Sequence, residues 1–130
     1  MFPNNRQELL YHGHFDEALN HFTALSTTFP QDPKPSFFLA LTYRWLTRIE
    51  PDSKSFQEHF EQTARNTIAL AQTILQKEPR NGEVLLYIGA MYGYRAEYWY
   101  FLKNRWNSAY NDAIRMRENL DKVKDVPPLY

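Results

Sequence analysis

The heptapeptide FFLALTY at residues 37–43 returns as LYIGAMY at residues 86–92, so one phrase is written twice, 49 positions apart (37 to 86). Leu39-Ala40-x-x-Tyr43 lies over Ile88-Gly89-x-x-Tyr92, and Phe37-Phe38 over Leu86-Tyr87. The same shift carries Phe29-Pro30 onto Glu78-Pro79. An apolar residue, a small one, and an aromatic three further on share one face of a helix with 3.6 residues per turn. The small residue lets a neighbouring backbone come close, and the aromatic fills the space beside it. A second correspondence belongs to a different helix type: GHFDEA at 13–18 aligns with NRWNSA at 104–109. Each has an aromatic (Phe15, Trp106) three residues before an alanine (Ala18, Ala109). Two alternating helix types predict a stack of helical pairs.

Composition points the same way. There are 9 Tyr, 9 Phe and 3 Trp, while valine occurs only at 84, 123 and 126, which disfavours strands. Prolines at 3, 30, 33, 35, 51, 79, 127 and 128 leave long unbroken windows between them. Phe15, Ala18, Leu19, Phe22 and Leu25 mark a helix from Gly13 to Pro30. Asp32-Pro33 opens the next, which runs to about Ile49. Phe56, Phe60, Ala64, Ile68, Ala71 and Leu75 form the stripe of a third, ending before Pro79. Asn81 caps a helix running to Leu102, and Trp106, Ala109, Ala113, Leu120 and Val123 lie on one side of a last one. With a short helix at residues 4–12 and a turn at Gly13, the prediction is an all-α chain of six helices. They form one domain over residues 1–130, in pairs at about 1–32, 33–80 and 81–126.

These motifs resemble the tetratricopeptide repeat, whose unit of about 34 residues packs two antiparallel helices. Leu39, Ala40 and Tyr43, and again Ile88, Gly89 and Tyr92, are similar to its first-helix pattern. Phe15, Ala18, Phe22 and Pro30 are similar to its second, as are Trp106 and Ala109, although Ala113 replaces the later aromatic; Pro79 closes the middle pair. The longer period is assigned to the loop near Pro51 and an extended helix at 55–78. The resemblance implies a right-handed α-α superhelix whose first helices line a concave groove for a peptide or partner helix. Carried onto this chain, the groove residues are Phe37, Leu41, Arg44 and Trp45, with Leu86, Tyr87, Ala90, Tyr94 and Tyr98. Only Arg44 suits a clamp for a terminal carboxylate, so the expected occupant is apolar. A small-ligand site at Tyr94, Arg95 and Tyr98 is the rival reading.

Other classes are disfavoured. The formal net charge is +0, which gives no electrostatic pull towards nucleic acid. No apolar run approaches the ~20 residues that cross a bilayer, so no membrane insertion is expected. Cysteine is absent, which fits a cytoplasmic or an exported protein equally. There is no glycine-rich phosphate loop, serine elbow or nucleophile–base pair, so neither catalysis nor a cofactor is expected. YHGHFDEALNHF at 11–22 holds His12, His14 and His21, but their spacing gives no third metal ligand. The last helix ends in VPPLY at 126–130 without a polar capping helix. That predicts the N-terminal part of a longer protein of bacterial type, with flanking domains as partners or a homodimer through the uncapped helix.

Overall fold

A computed structural model describes the backbone of residues 5–126 and the side chains of residues 13–126. Residue 4 of the expected first helix, and PPLY at 127–130, lie outside the described residues. The described residues form five helices: α1 Asn5–Thr28, α2 Pro33–Ile49, α3 Lys54–Lys77, α4 Gly82–Phe101 and α5 Trp106–Val123. It is all-α, but six helices are corrected to five. The two helices expected on either side of Gly13 are one, because Gly13 keeps a negative φ and stays helical. A single glycine inside a helix costs only about 1 kcal/mol relative to alanine, and no proline or cap residue is there to end it.

The remaining helix starts follow from local chemistry. The Asp32 side chain accepts from the Lys34 N–H at 3.0 Å, with Pro33 in the first turn where its missing donor costs nothing. Ser53 Oγ accepts from the Phe56 N–H at 3.2 Å, and Asn81 Oδ1 from the Val84 N–H at 3.1 Å. α2 and α3 each end at a glutamate followed by proline, Glu50-Pro51 and Glu78-Pro79, which stops the ladder. α4 ends differently: Asn104 turns the chain at φ 52°, a left-handed conformation that asparagine tolerates.

Packing directions can be read from residue pairs. Ser36 Oγ meets Thr67 Oγ1 at 2.8 Å while the Tyr43 ring stacks on His59 at 4.9 Å, so α2 and α3 run antiparallel. Gly89 faces Leu120 and Gly93 faces Met116, so α4 and α5 do the same. Between the hairpins, the Tyr98 ring lies 4.6 Å from Phe60 and Lys103 Nζ donates to Gln57 Oε1 at 2.9 Å. α2 and α4 then lie side by side and parallel, with Phe37 on Tyr87 at 4.9 Å and Arg44 on Glu97 at 3.0 Å. α1 reaches α2 through Phe22, stacked on Phe38 at 5.5 Å.

The core is therefore shared. Phe37 and Ala40 of α2 meet Phe60, Ala64, Ile68 and Ala71 of α3 and Val84, Ile88, Met91, Tyr92 and Tyr98 of α4. Each fully buried large apolar side chain contributes roughly 1.5–3 kcal/mol from removal from water. Alanines on α2 and α3 and glycines on α4 set how close the backbones come.

Candidate functional site: the outward face of α2 and α4

α2 and α4 present a joint surface on the side away from α3. Trp45 and Leu86 are 50% and 51% exposed there, and Leu41, Tyr87, Ala90 and Tyr94 are half-buried around them. Three residues expected in this groove are not available to a partner. Phe37 and Arg44 are buried because α3 and α4 close over that side of α2, and Tyr98 of α4 is buried against Phe60 of α3. Tyr98 is 0% exposed, and its hydroxyl donates to Glu61 at 2.6 Å. Burial first, and that bond second, push its phenol far above the ordinary range.

Charges tie the two helices together under this surface. Arg44 Nη2 donates to Glu97 at 3.0 Å, Arg44 Nη1 donates to Thr47 at 3.1 Å, and Arg48 also pairs with Glu97. Burial lowers the Arg44 pKa and Glu97 opposes that shift, so the carboxylate holds the cation in place. The Arg48 guanidinium lies 4.9 Å over the Trp45 ring, fixing the indole at the surface. Lys34 reaches Glu83 at 3.6 Å at the other end of the helices. Sequence reasoning missed these pairs, yet a signal was present: 34 to 83 and 48 to 97 are both 49 residues, the repeat period. Opposite charges one period apart become neighbours when equivalent helices stack side by side.

The rival cluster is already spent on internal bonds. Arg95 grips Asp112 with two bonds, Nε at 2.7 Å and Nη2 at 3.0 Å, and Trp99 Nε1 donates to the same carboxylate at 3.1 Å. Asp112 is buried, so the three side chains pin α4 to α5.

The repeat motif has another consequence on the opposite side. Leu39 and Tyr43 line a cleft of about 590 Å³ that α1 and α3 flank, with His59, Gln62, Arg65 and Asn66 on its wall. Ile88 and Tyr92 line a second of about 470 Å³ between α3 and α5. Phe22 and Ala18 are half-buried, Ala109 and Gly89 are buried, and Pro30 and Pro79 are exposed at helix ends. Phe15 is half-buried too. Trp106, expected to fill an interhelix gap, is 68% exposed, because Ala109 and Asp112 take the positions that face α4.

His14 and His21 are exposed on α1, and the His12 side chain lies outside the described residues. Among the described residues no three His, Cys, Asp or Glu side chains are placed to hold a metal, and no helix is long and apolar enough to cross a membrane. No family model, curated protein or solved structure matches the chain.

Proposed function

We propose that this chain is a divergent tetratricopeptide-like stack with a right-handed superhelical path, and that it works as a protein-binding scaffold. Its occupant is an apolar peptide or partner helix, supplied by another protein or by flanking domains, laid across α2 and α4. One observation carries the reading: Trp45 and Leu86 stand half in solvent on adjacent parallel helices, and Arg48, paired to Glu97, holds the indole in place. Rigid exposed aromatics with low entropy to lose are what binding hot spots are made of. The parallel placement of α2 and α4, each backed by an antiparallel partner, supports the repeat assignment. Binding rather than catalysis is favoured because Glu61, Glu97 and Asp112 are each committed to an internal partner. The same commitments argue against a small ligand at Tyr94, Arg95 and Tyr98.

The test is selection of displayed peptides on the intact protein, followed by Trp45→Ala and Leu86→Ala. Each variant is expected to weaken selected peptides tenfold or more, about 1.4 kcal/mol, with an unchanged melting temperature. Peptides that bind both variants as well as the parent would reject the face.

A further inference from the structure

A second surface lies at the other edge of the molecule. Tyr100 and Phe101 at the end of α4 join Trp106, Tyr110 and Ile114 of α5 in one exposed apolar patch; Phe101 is 73% exposed. The Tyr100 ring is 4.8 Å from Phe101 and 6.3 Å from Trp106. Trp106, Tyr110 and Ile114 follow each other at i, i+4, so they form one stripe along the helix. α5 meets α4 with a different side, through Ala109, Asp112, Met116 and Leu120. α3, which closes the other hairpin, packs on α2 and is covered on a second flank by α4. α5 has no such cover among the described residues, and contiguous exposed apolar surface of this kind marks an interface.

We infer that the occupant is a second copy of this chain, packed α5 against α5 in antiparallel fashion about a two-fold axis near Ile114. The stripe is complementary to itself. Beyond Ile114 it continues through Arg117 and Asp121, both exposed, and it is preceded by exposed Arg105, whose guanidinium lies 5.1 Å over the Trp99 ring and keeps its edge N–H groups for a carboxylate. Reversing one helix on another about Ile114 sets Arg117 of each copy over Tyr110 of the other. It also sets Asp121 beside Arg105 and the indole N–H of Trp106. Aromatic meets cation and cation meets carboxylate, twice by symmetry, as an isologous interface requires. Arg117 has no ion pair among the described residues, and Asp121 holds only Lys124, at 3.5 Å on the surface. A formal net charge of +0 puts no overall repulsion between copies.

The experiment is sedimentation equilibrium of the full chain over a wide concentration range, with circular dichroism of each variant. The parent is expected to dimerise. Trp106→Ser with Tyr110→Ser is expected to weaken dimerisation at least tenfold with unchanged helicity, since neither side chain supports the core. Arg105→Asp alone and Asp121→Arg alone should each weaken it, and the two together should restore it, because the pair is re-formed with reversed sign. Trp45→Ala should leave the dimer intact. A parent that stays monomeric overturns the inference, as does a dimer that ignores the Trp106 and Tyr110 changes. Failure of the charge reversal to restore association overturns the antiparallel register.

Discussion

Gly13, Gly89 and Gly93 are all helical glycines, and their surroundings make three different predictions. A Cβ at Gly13 would meet nothing within 4 Å. Gly13→Ala is therefore expected to stabilise by roughly 0.5–1 kcal/mol, read as a higher denaturant midpoint; a lower one would restore the turn that the sequence suggests there. A Cβ at Gly89 would sit 2.7 Å from Leu120 Cδ2 and 2.9 Å from its Cγ, close to the α5 backbone. Gly89→Leu should cost about 3 kcal/mol or more from overpacking, and near-parental melting would contradict the close helix crossing. At Gly93 the obstacle is Met116 Sδ at 2.7 Å, the middle of a flexible side chain, so Gly93→Ala should fall near neutral. Tyr98 gives a pH prediction. Its phenol is raised above the ordinary 10.0 by burial and by the bond to Glu61, so the fold favours the neutral form. That contribution is complete below the ordinary phenol value and is lost as pH rises above it. Urea midpoints should fall on alkaline titration, and the fall should be smaller in Tyr98→Phe. Tyr43, also raised by burial, accounts for part of what remains.

At the scale of helices, most boundaries were legible because they rest on local chemistry. Asp32, Ser53 and Asn81 cap helices by bonds within three residues, and Pro51 and Pro79 follow helix ends. Where a boundary rests on weak preference, the pattern misled: Gly13 reads as a stop only if nothing outweighs a cost of about 1 kcal/mol. Trp106 was misassigned for a related reason. Its spacing to Ala109 fits a repeat motif, but which of two sides of α5 meets α4 is decided by buried Asp112. No sequence period announces that Arg95 and Trp99 will converge on one carboxylate. Asp112→Ala is expected to cost about 3 kcal/mol, since it leaves the largely buried Arg95 unpaired. The loss should appear in the melting of the whole chain and in early exposure of amides in α5. Small losses, below about 1 kcal/mol, would mean that the pair is no more than a surface bridge.

For the molecule as a whole, the phrase written twice, as FFLALTY and LYIGAMY, falls on α2 and α4, which lie side by side. It did not tell which residues of α2 stay exposed, because Phe37 and Arg44 lie on the flank that α3 and α4 close over, and burial there depends on packing between hairpins. The core makes that dependence testable. It runs unbroken through α2, α3 and α4, whereas α1 joins it from outside, with Phe22 on Phe38. Where one core spans several helices, each is stabilised by its neighbours, so cutting in different places has different costs. A fragment of residues 31–130 is expected to unfold cooperatively at a lower temperature than the parent, because it keeps the whole shared core. Cutting at Arg80 divides that core, parting Tyr98 from Phe60 and Arg44 from Glu97. Neither half should then show a cooperative transition alone, while mixing them should recover helicity in a concentration-dependent way. Independent folding of residues 81–130 would show that α4 and α5 form a unit of their own, and that the bonds between hairpins only dock it.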